Sequence, residues 1–114
     1  MGNASGPLGE QIAADYLRAA GYEIVRRNYR TRFGEIDIVA ADSRFLVFAE
    51  VRTREAGALV GPLESVTPAK RRRLVKTALL YLQKFPTVLQ PRFDVIGITL
   101  EGPQHTVQHI ENAF

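Results

Sequence analysis

The run Phe45-Leu46-Val47-Phe48-Ala49-Glu50-Val51-Arg52 constrains this chain most, because it is apolar at successive positions until Glu50 and has no face to offer to water. Such a strand is covered on both sides and sits near the middle of a sheet between two layers. Just before it lies Glu35-Ile36-Asp37-Ile38-Val39-Ala40-Ala41, with only Asp42-Ser43-Arg44 between, so the two runs read as an antiparallel hairpin. A two-residue turn at Ser43-Arg44 sets Asp37 opposite Glu50 and Glu35 opposite Arg52, and the period of two along a strand puts all four side chains on one face. A three-residue turn would shift the register by one and send Asp37 and Glu50 to opposite faces.

The flanking segments say what covers that strand. Residues 7–20 carry Ile12, Ala13, Tyr16, Leu17 and Ala20 on one helical stripe, with Pro7 in the first turn and Gly21 after the end. Residues 22–29 alternate as an outer strand that decays into a basic loop. Residues 53–66 hold Gly57, Gly61 and Pro62 without sustained periodicity, so a long loop is expected beside the carboxylates, placed to contact or cover a substrate. Thr67-Pro68 then reads as an N-cap with proline at the first helical position. Leu74, Val75, Ala78, Leu79 and Leu82 give that helix a buried stripe as far as Lys84, and Pro86 ends it. Arg71 lies near the apolar side and has to snorkel or find a partner. Residues 92–100 form another strand and residues 105–110 a weaker one at an edge. The strand-helix-strand crossover implies a parallel pair. The expected fold is therefore α/β, a mixed sheet of about five strands flanked by helices. Residues 1–6 are expected to be a flexible start and residues 7–114 one domain.

The 114 residues suffice for a core without staples, and the absence of cysteine removes disulfides, thiol catalysis and thiolate metal sites. No apolar run is long enough to cross a bilayer, and the first residues lack the pattern of a signal peptide or a myristoylation site. The expectation is a cytoplasmic protein without a membrane partner. Two acid-free runs, Arg26-Arg27-Asn28-Tyr29-Arg30-Thr31-Arg32 and Lys70-Arg71-Arg72-Arg73-Leu74-Val75-Lys76, hold nine of the 15 basic residues. They make either a polyanion-binding face or a solvated surface.

Two charged side chains at the end of a buried strand are costly without partners. A hard divalent cation, magnesium or manganese, takes oxygen ligands and tolerates a shell completed by water and phosphate. Asp37, Glu50 and the carbonyl of Val51 would supply the protein's share and leave room for a water and a phosphodiester oxygen. The alternative is a Glu35–Arg52 ion pair with Asp37 and Glu50 bound to backbone amides. His105 and His109 are four apart in a strand, a helical ligand spacing in the wrong element, and Asp94 reads as structural.

Asp37 followed after twelve residues by Glu50-Val51-Arg52 resembles the PD-(D/E)xK signature of the restriction-endonuclease-like nucleases, with Ile36 at the loosely kept proline. More closely, Gly9-Glu10, Gly34-Glu35-Ile36-Asp37, Phe48-Ala49-Glu50-Val51-Arg52-Thr53-Arg54, Thr67-Pro68-Ala69-Lys70 and Arg92-Phe93-Asp94-Val95 resemble the YraN-like family, which is similar to archaeal Holliday-junction resolvases. The resemblance implies a restriction-endonuclease-like three-layer core and a metal-dependent endonuclease acting on branched or structured DNA. By it, Asp37 and Glu50 are metal ligands, Glu10 reaches the site from the first helix, and two subunits pair as a homodimer. On the helical wheel Glu10 sits at the edge of the apolar stripe next to Leu17, where it can face the sheet, and the alternative is a carboxylate complementing the dipole in a first helical turn.

Arg52 stands where the signature has lysine. Arginine cannot act as a base, though it can hold a phosphate oxygen bidentately and stabilise developing charge. Expected nucleic-acid contacts are Arg26, Arg27, Arg30, Arg32, Lys70, Arg71, Arg73 and Lys76. The competing readings are a non-catalytic nucleic-acid-binding module on a degenerate nuclease fold and a protein-interaction adaptor with a basic face.

Overall fold

Strands and helices follow each other as α1 (Gly6–Ala19), β1 (Glu23–Thr31), β2 (Gly34–Ala41), β3 (Phe45–Glu55), α2 (Pro68–Lys84), β4 (Gln90–Glu101) and β5 (Gln104–Ile110). The structure is a computed structural model that describes residues 6–114. The five strands form one sheet in the order β1-β2-β3-β4-β5. All neighbours are antiparallel except β3 and β4, which run parallel along their whole lengths because α2 carries the chain back between them.

The strand β3 has the two-sided burial its composition demands. Val47, Ala49 and Val51 pack with Ala13, Ala14 and Leu17 of α1, together with Ile38, Ala40, Ile96 and Ile98. Leu46 and Phe48 pack on the opposite side with Leu74, Ala78 and Tyr81 of α2, together with Val39 and Val95. Helix, sheet and helix thus form three layers with a core on each face. Among the described residues, no helix is long and apolar enough to cross a membrane.

Local chemistry accounts for the element ends. Thr67 accepts a hydrogen bond from the Lys70 amide at 3.3 Å and Pro68 follows it, so α2 starts where its cap dictates. Gly21, at φ +98, takes the left-handed conformation that ends α1. The β2–β3 turn has two residues. The Asp42 side chain accepts from the amides of Arg44 and Phe45 at 2.8 and 2.7 Å, and the ladder pairs Ala41 with Leu46 and Ile38 with Ala49.

Several sequence expectations need correction. The outer strand runs further than expected, through Arg30 to Thr31, so the basic loop shrinks to the turn Arg32-Phe33 before β2. Pairing with β2 holds the strand extended despite its charge, and an edge strand tolerates charge. The loop after β3 begins later than expected, because Thr53, Arg54 and Glu55 still pair with β4. The buried face of α2 is Leu74, Thr77, Ala78 and Tyr81, which leaves Leu79 exposed, as the large Tyr81 ring rather than Leu79 fills the space beside Phe48 and Tyr29. Of the start expected to be flexible, Gly6 belongs to α1 and residues 1–5 lie outside the described residues.

One irregularity matters for the site. In the β1–β2 register Arg27 pairs with Ile38 and Tyr29 with Ile36, but Asn28 and Asp37 between them are not paired, and Asn28 has φ +54. Residues two apart in a strand normally share a face. Here Ile38 belongs to the α1 core and Ile36 to the α2 core. The sheet therefore changes face at Asp37.

Candidate metal centre

The carboxylates of Asp37 and Glu50 meet at the point where the β2–β3 ladder stops. The last pair is Ile38 with Ala49, so Asp37 and Glu50 are the next residues on the two strands. Both are buried, Asp37 with 2% and Glu50 with 9% of its surface exposed. Each carboxylate lies close enough to act on the titration of the other, and Asp37 Oδ2 accepts from the Val51 amide at 2.8 Å. Asp37 is pushed up to about 8, first by burial and then by the negative charge of Glu50. Burial also raises Glu50, against the opposing pull of Arg52. Two acids this close and this dry hold a proton between them when no other cation is present.

Arg52 closes one side. Its Nη1 donates to Glu50 Oε2 at 3.2 Å and its Nε to Ser65 Oγ at 2.8 Å. Ser65 Oγ in turn donates to the Pro62 carbonyl at 2.7 Å. The loop after β3 therefore returns to hold the arginine head. Nothing in the sequence pattern pointed to Ser65, because a serine in an irregular loop has no periodic signal.

The Glu35–Arg52 pair of the alternative reading does not form. Glu35 lies beyond the face change and binds Arg30, its partner on β1, at 3.0 Å. Glu10 also departs from the dipole reading. It lies in the second turn of α1, is 6% exposed, and adds its negative charge to the field at Asp37. Gly9 makes this possible, since any side chain there would run into the Thr53 hydroxyl, so α1 comes down close on β3. A glycine inside a helix costs about 0.5–1 kcal/mol relative to alanine, and that cost was the available signal of close approach.

The donor set suits a hard divalent ion. When both are ionised, two carboxylates beside one arginine carry an excess of negative charge, which a divalent cation could offset in place of the shared proton. Among the described residues there is no group of three or more His, Cys, Asp and Glu side chains placed to enclose an ion. A magnesium-type ion here would take Asp37, Glu50 and a backbone oxygen such as that of Val51 from the protein and complete its shell with water or a ligand.

The basic residues fall into separate groups. Arg32, Arg73 and Lys76 line a common cleft with Arg72. Arg26 lies over the Phe85 ring, 4.6 Å from its centroid, while its neighbour Arg27 points to the other face and binds Gln11 of α1 at 3.1 Å. Arg30 is tied to Glu35. Arg71 holds the Val66 carbonyl at 3.1 Å and lies over Phe114, which is the partner its position on the helix required. Lys70 sits near enough to Glu50 to pull its pKa down.

Residues 9–98 match the model of a family described as uncharacterised protein family UPF0102. Similar chains include the UPF0102 protein of Syntrophomonas wolfei, 43% identical over 115 residues and covering the whole of both chains. That of Dichelobacter nodosus is 47% identical over 96% of this chain and 87% of its own. That of Geobacter metallireducens is 46% identical over 96% and 90%.

Proposed function

The chain belongs to the UPF0102 family, the YraN-like group its motifs resemble, and within that family we propose that it is a metal-dependent endonuclease hydrolysing phosphodiesters of branched or structured DNA. The observation that carries this reading is the meeting of Asp37 and Glu50, two buried carboxylates served by a single arginine, midway along the central strand where the β2–β3 ladder stops. Magnesium or manganese would be held by Asp37, Glu50 and the carbonyl of Val51. When bound, the ion supplies a Lewis acid for the phosphoryl oxygen and a source of nucleophile at neutral pH.

The chain's own groups have distinct roles. Glu10 adds negative charge behind Asp37 and so favours cation capture. Arg52, steadied by Ser65, presents its guanidinium beside Glu50, where it can bind a phosphate oxygen and stabilise the charge that develops there. It cannot take a proton from water. Lys70 and the cations of the α2 cleft would bind the phosphate backbone on either side.

Calorimetric titration with magnesium and with manganese tests the centre, using wild type and Asp37→Ala. Binding to wild type alone, followed by cleavage of a four-way junction in preference to a linear duplex, is the expected result. No binding to wild type would end the enzyme reading. Arg52 favours one second reading, a nucleic-acid-binding module without catalysis, because the position that has lysine in the nuclease signature is here an arginine pinned by Glu50 and Ser65. Metal binding without cleavage of any DNA or RNA would select it.

A further inference from the structure

We propose that the cleft between the β1–β2 turn and the first half of α2 binds an unpaired nucleotide of a nucleic-acid strand, its base on Phe33 and its phosphate among Arg32, Arg72, Arg73 and Lys76. The site deepens the nuclease reading and rests on it for the course of the strand, though not for the binding chemistry.

The cleft has a volume of about 370 Å³ and is lined by Arg32, Phe33, Ala69, Arg72, Arg73 and Lys76. That is within the range of small-ligand sites, about 300–1,000 Å³. Four cations and no acid line it. Among the described residues, the ion pairs of this protein engage Arg18, Arg30, Arg52, Arg92 and His109, and none engages these four. Gathering like charges without counter-charge is unfavourable unless an anion completes the set.

Phe33 adds the second element of recognition. It occupies a two-residue hairpin turn, where glycine, asparagine or aspartate is usual. Its ring is half-buried, and Lys76 Nζ lies 3.9 Å and the Arg32 guanidinium 4.9 Å from its centroid. Both cations sit on long flexible stems, so they can swing to a phosphate when a base takes their place on the ring. Stacking of a base on an aromatic side chain tolerates any sequence but needs the face of the base exposed, which a continuous duplex does not offer.

The cleft is built rather than accidental. Thr31 Oγ1 accepts from the Phe33 amide at 3.1 Å and donates to the Gly34 carbonyl at 3.3 Å, holding the turn. Gly34 abuts α2, since a Cβ there would lie 3.0 Å from Thr77 Oγ1 and 3.3 Å from Arg73 Cβ. From Phe33, β2 leads directly to Asp37, about 13 Å along the strand at roughly 3.3 Å per residue. A strand with its phosphate at Asp37 and Glu50 would pass the cleft within a few nucleotides. The protein then prefers an overhang, flap or branch to an unbroken duplex.

Fluorescence anisotropy without divalent metal provides the test, on a blunt duplex and on the same duplex carrying a single-stranded overhang. Wild type should bind the overhang more tightly. Phe33→Leu should lose about tenfold on the overhang and nothing on the blunt duplex, as expected for one stacked base. Phe33→Tyr should keep wild-type affinity, and Arg72→Gln should weaken both substrates and flatten their salt dependence. An unchanged overhang affinity in Phe33→Leu, or an equal loss on both substrates, would overturn the site. The magnesium titration reads the other centre separately: its failure leaves the cleft standing, and loss of the overhang preference leaves the metal centre standing.

Discussion

Two buried carboxylate clusters lie close together in this sheet, and they are neutralised in opposite ways. Asp94, fully buried on β4, receives Arg92 Nε at 2.9 Å and Nη2 at 2.8 Å. His109 Nε2 lies 2.7 Å from its Oδ2, and the Asn112 amide donates to Oδ1 at 3.0 Å. Arg92 also donates to the Tyr22 hydroxyl at 2.7 Å, and His109 Nδ1 meets the Tyr16 hydroxyl at 3.1 Å. Burial raises Asp94, but the hydrogen bonds from His109, Arg92 and Asn112 outweigh it and leave its pKa lowered. At Asp37 and Glu50 burial wins and both acids are raised. The chain completes the first charge set by itself and leaves the second short of positive charge, which is the difference between a structural cluster and one suited to take up a cation.

Breaking the complete cluster should have the largest effect. Asp94→Ala leaves the buried Arg92 with only the Tyr22 hydroxyl and the exposed Glu111 carboxylate, 3.9 Å from its Nη1, and urea denaturation should show a loss of about 3–5 kcal/mol. The incomplete cluster should respond to metal instead. Magnesium at a hundred times its dissociation constant should stabilise wild type by about 2.7 kcal/mol over the same protein in EDTA, and Asp37→Asn should gain far less.

Removing a charge from the incomplete cluster should stabilise the metal-free protein. Folded Asp37 keeps its proton to about pH 8, whereas an ordinary aspartate releases it near 3.8. The folded state therefore binds more protons across that window, and stability falls as pH rises through it. Glu50, Glu10 and Glu35 add negative charge at Asp37, while Arg52 and Lys70 pull Glu50 the other way. In EDTA near pH 8, Asp37→Asn keeps an acceptor for the Val51 amide and should gain on the order of 2 kcal/mol, with a flatter pH profile. A destabilised variant would contradict the contrast. Asp94 runs in the other direction: its contribution is present above the ordinary carboxylate range and is lost as pH falls through its lowered folded value. The smallest effect is expected from Tyr22→Phe, which removes one hydrogen bond to Arg92 and should cost about 1 kcal/mol by thermal or urea unfolding.

Much of this was legible in the chain. The Ser43-Arg44 turn, the Asp42 side chain that closes it and the alternation of β2 and β3 determine which residues oppose which, and so place Asp37 beside Glu50. Thr67-Pro68 marks the start of α2, and the crossover it begins makes β3 and β4 parallel. The Glu35–Arg52 pair was a reasonable extrapolation of period two, and it failed at one position, where Asn28 and Asp37 leave the ladder and the sheet turns over. The end of the β1 arginine run, from Arg30, looked like loop because propensity cannot register the backbone partners that β2 supplies.

Local sequence thus determined what a few neighbouring residues can decide: the hairpin register, the helix caps, the two-sided burial of β3 and the presence of carboxylates where its ladder with β2 stops. Tertiary structure alone decided how much counter-charge each buried acid receives. Ser65 comes back from a loop to hold Arg52, Gly9 lets α1 bring Glu10 near Asp37, and β5 brings His109 to Asp94. Those groups are far apart along the chain. Whether a buried carboxylate is paired with a cation, shares a proton or is left for a metal depends on Coulomb energy over a few ångströms in a dry interior, and only folding sets those distances.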